Sequence, residues 1–247
     1  MLYFERQRVG DKVFVRRIIR LNKVDSTNEY LKRGNFEFGT VVTVKEQTAG
    51  KGRLGRTWIS DDSDNLMMSV LLKSTGIQNV WEIGFLAAAS VYKTLREFGI
   101  ESKIKWPNDL IVSNKKITGI LVETKINESL ESVIVGIGIN VNMMNFGDLE
   151  LKATSMKKEK SKDFDCDKIL FALLENINYY INEYLMGYKS FLDICKSNSY
   201  LIGKKISIGG RIYSYMDIND LGEIIVIDED GKTSCYSPNE ISLEDIY

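Results

Sequence analysis

The chain has 247 residues, of which 44% are apolar and 27% charged, with two prolines and a formal net charge of −1. That length suits one large domain, or a main domain with a small appendage, and the near-neutral balance argues against a global field aimed at nucleic acid or an anionic membrane. Histidine is absent, and Cys166, Cys195 and Cys235 lie far apart with no C-x-x-C pair, which excludes the usual zinc spacings, a Ser-His-Asp triad and a Cys-His pair.

The cysteines read as small core residues in a reducing compartment. The most apolar stretch, "FLAAASVY", is too short to span a bilayer, and "MLYFERQRVG" carries charges where a signal peptide needs its apolar segment. The expected location is the cytoplasm, with no membrane partner.

In chain order, "DSTNEYLKRG" predicts a short helix, with Ser26 as N-cap, Glu29 completing a capping box and Gly34 closing it. "GTVVTVKEQ" places Val42 and Val44 on one face and Thr43 and Lys45 on the other, the period of a half-buried strand. Next comes "AGKGRLGRTW", a literal G-x-G-x-x-G at Gly50, Gly52 and Gly55. A dinucleotide-binding turn needs a helix opening at the last glycine and an acidic residue about 20 positions on. Here the turn formers "SDDSDN" and a second strand, "LMMSVLLK", follow instead. The glycines therefore belong to a flexible loop between two strands. With Lys51, Arg53 and Arg56 among them, the loop predicts an anion, a phosphate above all, unless it is merely a solvated basic hairpin.

"QNVWEIGFLAAASVYKTLREFG" sets Trp81, Phe85, Ala88, Tyr92 and Leu95 on one helical face and stops at Gly99. From 103 to 142 the texture is strands: "KIKW", "LIV", "KKITGILVETK" and "SVIVGIGINVN". In the last, Val133, Val135, Ile137, Ile139 and Val141 belong against a core. The opposite face carries Gly136, Gly138, Asn140 and Asn142, which reads as the floor of a pocket or as a seat for a closely packed helix. "KWPNDL" is a good turn that would also aim an amide and a carboxylate from a rigid bend. Lys116 is expected to share a strand face with Thr118 and Ile120, either as a solvated edge lysine or as a cation fixed beside a reacting group.

Leu170, Leu173, Ile177, Tyr180 and Tyr184 mark a second long helix, and "YKSFLDICKS" a short one. "KKEKSKD" at 157–163 reads as a solvated loop. After Tyr200, "KKISIGG", "RIYSYMDI", "GEIIVIDEDG", "KTSCYS" and "EISLEDI" predict four or five short strands, a small SH3-like β-barrel attached to a larger α/β (α+β) domain, with the boundary between 1–199 and 200–247.

Taken in order, "DSTN", "EQTAGKGRLGRTW", "KWPNDL", "KKITGILVE" and "GIGINVN" resemble the motif series of biotin protein ligases, from about Asp25 to Asn142. The resemblance implies a class II synthetase-like mixed sheet flanked by helices, with a C-terminal SH3-like domain. It also implies a two-step reaction. The carboxylate of biotin attacks the α-phosphate of ATP, supplied with Mg2+ as the substrate complex, giving biotinyl-5'-AMP and pyrophosphate. A lysine ε-amine on a biotin carboxyl carrier protein or domain then takes the biotinyl group. Such chemistry needs positioning and charge neutralisation more than a base, which suits a chain without histidine.

By motif position the resemblance implies that Ser26, Thr27 and Gln47 bond the ureido ring of biotin. Gly50, Lys51, Gly52, Arg53 and Arg56 form the loop that orders over biotin and the adenylate, with Arg53 nearest the developing charge. Trp58 packs near the adenine, with Asn108 and Asn140 also on the nucleotide side. Lys116 contacts carboxyl and phosphate oxygens, and Gly136, Gly138 and Asn140 line the pocket. Asp109 sits at the reacting centre, orienting the incoming lysine or the magnesium; no metal site of the protein's own is expected. Lys51 stands where the family often has Arg, and Leu54 where a third Arg can occur, which predicts weaker adenylate retention. Homodimers are common in the family. Relatives that repress transcription carry an N-terminal winged helix-turn-helix; only 24 residues precede "DSTN" here, so DNA binding is not expected. A lipoate or octanoate transfer enzyme is the alternative of the same fold, but its Arg-Arg and triple-glycine motif is not found.

Overall fold

Runs of valine and isoleucine become seven strands of one mixed sheet in the computed structural model, which describes residues 15–59, 65–77, 79–127, 129–238, 240, 241 and 243. β1 (Arg17–Val24) pairs in parallel with β2 (Thr40–Gln47) through a crossover that contains α1 (Thr27–Arg33). β3 (Leu66–Lys73), β4 (Lys103–Lys105), β5 (Asp109–Val112), β6 (Lys115–Asn127) and β7 (Ser129–Ile139) complete the order β1-β2-β3-β7-β6-β5-β4, antiparallel from β2 onward. The alternation expected of β2 holds, with Val42 and Val44 buried and Lys45 exposed.

The two faces of this sheet are covered unequally. On one side α1 seats Leu31 among Ile19, Val42, Leu71 and Ile134. Its seven residues cover β2, β3 and part of β7 and leave the β5–β6 end of that face open. Gly34 stops α1 for a packing reason: a Cβ there would meet the Phe36 ring at 2.0 Å. The expected capping box does not form. Ser26 holds the N-cap backbone position without a side-chain cap bond, and the Glu29 carboxylate pairs instead with Lys51 at 2.8 Å and Lys32 at 3.2 Å.

On the other side lie α2 (Val80–Glu97) and α4 (Cys166–Leu185). Phe85, Ala88, Tyr92 and Leu95 from α2 and Leu170, Leu173, Ile177, Tyr180 and Tyr184 from α4 are all buried, as their spacing predicts, and each fully buried large side chain contributes roughly 1.5–3 kcal/mol. Asp165 caps α4, accepting from the backbone N–H of Asp167 and of Lys168. The lysine-rich stretch at 157–163 is not simply a loop. Ser155 accepts from the Lys158 N–H and starts α3 (Met156–Lys160), whose cations pair with Asp163 and Glu150. Of the cysteines only Cys195, in α5 (Ser190–Ser197), is buried, and burial pushes its thiol up; Cys166 is half-buried and Cys235 exposed, against the expectation for all three.

The tail folds into β8 (Lys205–Ile208), β9 (Arg211–Ile218), β10 (Ile224–Ile227) and β11 (Thr233–Tyr236), an antiparallel meander ordered β11-β10-β9-β8. Its inner residues Ile206, Tyr213, Ile224 and Val226 join the same core as Phe85 and Leu95. Gly222, at φ +77°, presses onto α2 where a Cβ would meet the Trp81 ring at 2.2 Å, and its carbonyl accepts from Trp106 Nε1 at 3.0 Å. The charged residues 1–10, most of the turn at 60–65 and most of the fifth strand expected at 240–246 lie outside the described residues. Among the described residues no helix is long and apolar enough to cross a membrane.

One buried charge ties these layers together. Glu82, fully buried in the first turn of α2, accepts from Tyr184 Oη at 2.6 Å and from Lys189 Nζ at 2.6 Å, joining α2 to the α4–α5 junction. Replacing Glu82 with Ala strands a hydroxyl and an ammonium that is itself a third exposed. The expected loss is about 2–3 kcal/mol, read as a lower urea midpoint with an unchanged m-value.

Candidate functional site

The open part of the α1 face is roofed by the glycine loop. After β2 the chain makes a narrow hairpin in which Gly52 N–H bonds Arg56 O at 2.7 Å and Trp58 N–H bonds Gly50 O at 2.9 Å, with a single turn of 3-10 helix at Arg53–Gly55. No α-helix opens at Gly55, so the dinucleotide geometry is absent, as read from the sequence. Leu54 at the tip takes the left-handed conformation, φ +54°, and is 73% exposed. The returning strand lays the Trp58 indole on the sheet. A Cβ on Gly138 would meet that ring at 2.6 Å, and one on Gly119 would meet it at 2.8 Å. Gly136 serves a different neighbour, since a Cβ there would stand 2.5 Å from Asn28 Oδ1 of α1. Both readings of the glycine face therefore apply, at different residues.

Arg53 points inward. One guanidinium nitrogen donates to Asn108 Oδ1 at 3.1 Å and another to the Pro238 carbonyl at 2.5 Å, so the hairpin is clipped to the β4–β5 turn and to the C-terminal segment together. Burial disfavours its charge and nearby Asp109 supports it, but a guanidinium stays charged. Asn108 is itself strapped to β6, its amide donating to Ile120 O at 2.6 Å. Lys51 turns away from this junction, its ammonium resting on Glu29, whose carboxyl Lys51 and Lys32 hold below its usual range. Arg56 is exposed on the outer strand of the hairpin.

Asp109 opens β5 and meets Lys116 Nζ at 2.7 Å. A bulge brings this about. Register slips between Leu110 and Ile111 where they pair β6, so Lys116 opposes Ile111 while Gly119 opposes Asp109. Lys116 therefore reaches over Gly119, 3.2 Å from where a Cβ would be, while Thr118 and Ile120 turn into the core. The shared face expected for Lys116, Thr118 and Ile120 is broken by that extra residue. Lys105, at the end of β4, was not among the residues singled out from sequence. Burial lowers its pKa, Asp109 offsets part of the shift, and Lys116 and Arg56 add to it. Its signal was available: alternation about buried Ile104 sets Lys105 on the opposite face, two residues before the Pro-Asn turn.

Two chambers result. A narrow slot of about 60 Å3 lies between α1 and the hairpin, lined by Ser26, Thr27, Gln47, Leu121, Gly136 and Gly138 among others. Its end is polar: the Thr27 N–H donates to Gln47 Oε1 at 2.9 Å, and Ser26 and Thr27 are buried. A wider cleft of about 590 Å3 lies beyond, with an apolar wall of Ile111, Met143, Phe146 and Ala153. Among the described residues, Arg53, Arg56, Lys105, Lys116 and Lys152 line that cleft with Asp109 as its carboxylate. Asn140 also lines it, anchored by its amide nitrogen to Thr154 O at 3.0 Å. Slot and cleft share Gly52, Arg53, Trp58, Asn108 and Lys116. Of the residues expected from sequence, Ser26, Thr27, Gln47, Gly52, Arg53, Arg56, Trp58, Asn108, Asp109, Lys116, Gly136, Gly138 and Asn140 all line one chamber or both. Gly50 braces the hairpin instead, a Cβ there falling 2.5 Å from Trp58 O, and Lys51 lines the slot while pairing with α1.

Residues 20–140 match the family described as Biotin/lipoate A/B protein ligase. The bifunctional ligase/repressor BirA of Bacillus subtilis is 32% identical over 229 residues, covering 88% of this chain and 70% of the relative. A biotin–[acetyl-CoA-carboxylase] ligase of Mycobacterium tuberculosis is 26% identical, covering 82% and 78%. Among solved structures, the biotin protein ligase of Aquifex aeolicus in complex with biotin and ATP is 31% identical, with a TM-score of 0.84 over 92% of this chain and 98% of that one. The apo structure of the Aquifex enzyme gives 0.78 at 28% identity. With its hairpin closed on a glycine-faced sheet and its cations gathered around Asp109, the chain belongs to the biotin/lipoate A/B protein ligase family, on its biotin protein ligase branch.

Proposed function

We propose that this chain activates biotin with ATP as biotinyl-5'-AMP and transfers the biotinyl group to a lysine of a biotin carboxyl carrier domain of a carboxylase. The observation that carries this reading is the junction of the two chambers. A polar-ended slot and a cationic cleft with an apolar wall meet at Arg53, Trp58, Asn108 and Lys116. A carboxylate leaving the slot and an α-phosphate entering from the cleft would come together there. The likeness to an Aquifex structure containing biotin and ATP supports the same partition. A lipoyl or octanoyl chain has no use for the polar end formed by Ser26, Thr27 and Gln47.

Each role follows from charge and reach. In the slot, Ser26, Thr27 and Gln47 take the ureido group. In the cleft, Arg53, Arg56, Lys105 and Lys116 neutralise the triphosphate; each cation–phosphate contact at 4 Å gains about 4 kcal/mol at an effective dielectric near 20 before desolvation. Lys105 takes the share first given to Lys51, whose ammonium is committed to Glu29. The apolar wall accepts the adenine, with Trp58, Gly52, Asn108 and Asn140 bordering the nucleotide. Magnesium is treated as part of the ATP substrate; among the described residues no three acidic, thiol or imidazole groups cluster to hold a metal. Arg53 and Lys116 stabilise charge developing at the α-phosphate as pyrophosphate leaves. Asp109, held by Lys116, is the carboxylate that orients the incoming amine, which must lose a proton from a reference pKa near 10.4. The four-stranded tail is taken as part of an SH3-like domain from about residue 200, which steadies the hairpin through Pro238.

Incubated with biotin, ATP and magnesium, the protein is expected to yield biotinyl-5'-AMP by mass spectrometry; an octanoyl or lipoyl adenylate, or none, would reject the assignment. Arg53→Ala, which loses the clips to Asn108 and Pro238, should release biotinyl-5'-AMP about tenfold faster in a chase with unlabelled biotin, with the fold retained. Lys105 has a folded pKa below its unfolded value, so the unfolded chain binds the proton more tightly. Its penalty on stability is full below the lowered pKa and disappears as pH rises from there to the ordinary 10.5. Lys105→Met is therefore expected to raise the thermal midpoint at pH 7, with the gain shrinking towards pH 10.5, and to weaken ATP binding by tenfold or more, on the order of one close ion pair.

A further inference from the structure

Beside the slot runs a chain of buried polar groups that reaches its lining at Thr27 and Asn28. Glu123, on β6, accepts from Lys32 Nζ at Oε1 (2.6 Å) and from Asn28 Nδ2 at Oε2 (2.7 Å). Asn28 Oδ1 lies 2.5 Å from Ser69 Oγ, and Ser69 Oγ lies 2.6 Å from Thr27 Oγ1. Ser69, Asn28 and Thr27 are buried, at 0%, 3% and 4% exposure, so their partners are chiefly one another.

Donor and acceptor bookkeeping gives the chain one direction. A carboxylate only accepts, so the Asn28 amide turns its nitrogen to Glu123; the Leu121 carbonyl, 3.4 Å from that nitrogen, favours the same orientation. The amide oxygen then faces Ser69 and only accepts, so the single hydroxyl hydrogen of Ser69 goes to Asn28. Two oxygens 2.6 Å apart need a hydrogen between them, and Ser69 has none left, so the Thr27 hydroxyl donates to Ser69. Gln47 Oε1, 3.2 Å from Thr27 Oγ1, lies beyond the ordinary O–H···O range and takes the Thr27 backbone N–H instead. Thr27 is thereby left with lone pairs alone for the slot.

We propose that Glu123 is a specificity-determining positioning residue: through Asn28 and Ser69 it fixes the Thr27 hydroxyl as a hydrogen-bond acceptor, so that the slot selects ligands presenting an N–H there. The inference rests on the biotin reading, whose ureido ring carries two N–H groups, and extends selection to a residue outside the slot.

Glu123→Gln tests the direction. Lys32 keeps the oxygen of the new amide, the nitrogen faces Asn28, and the chain reverses until Thr27 donates. Binding to the full chain is measured by calorimetry for biotin and for the two cyclic carbamates in which one or the other ureido N–H is replaced by a ring oxygen. The wild type is expected to prefer biotin over one carbamate by about tenfold or more, and Glu123→Gln to erase or invert that preference. Adding Lys32→Met frees the glutamine to turn its oxygen back to Asn28 and is expected to restore the preference. Ser69→Ala cuts the chain at another link and should bring the two ligands level, which keeps the test open if Glu123→Gln folds poorly. Equal weakening of both ligands by Glu123→Gln and Ser69→Ala, or no change in either, overturns the proposal while the biotin reading stands. Failure of the wild type to bind biotin would instead reject that reading.

Discussion

The contact on which the site depends is that of one indole ring with two missing side chains. Gly119 on β6 and Gly138 on β7 are register partners, and the Trp58 ring lies on them closer than any Cβ would permit. Because the ring can lie flat there, the hairpin closes over the sheet instead of standing in solvent. Slot and cleft are the spaces on either side of that contact, and Arg53 reaches both because the hairpin is anchored there. Backbone economy is also at work under α1, where Gly136 lets Asn28 approach β7 closely enough to join the buried polar chain.

Most of this was legible in the chain, for identifiable reasons. Long periodic segments such as α2 and α4 bury the residues their spacing selects, apart from Trp81 at the start of α2, which is only half-buried, since an apolar stripe has only one satisfactory place to go. The β-branched alternation of β7 separates its core face from its glycine face without ambiguity. What escaped are features set by long-range pairing. The bulge opposite Leu110–Ile111 moves Lys116 off the face its parity assigns it, and no local pattern announces an extra residue. Glu29 pairs with Lys51, 22 positions away, in place of the expected capping bond. Lys105 gains its altered ionisation from burial beside Asp109 and Lys116, which the sequence places in three separate strands.

The distribution of charge has the same origin. In a chain with net charge −1, the described residues of the cleft still set five cations against one carboxylate. Neutrality of the whole therefore hides a local excess, held together by the β4–β5 turn, the bulged start of β6 and the hairpin. The ion pairs on the other side of the hairpin are arranged oppositely, with Glu29 and Glu123 satisfying Lys51 and Lys32. The hairpin thus separates a compensated ionic layer from an uncompensated one, and the uncompensated one faces the cleft.

The bond between Arg53 and the Pro238 carbonyl spans 185 positions. During synthesis a nascent chain can form β1 to β7 and the hairpin long before residue 238 emerges, so one of the two clips on Arg53 can close only after that segment is made. An unfinished chain would carry the sheet and every cation of the cleft, yet keep its roof half-fastened. Closure of the roof is thereby tied to synthesis through residue 238.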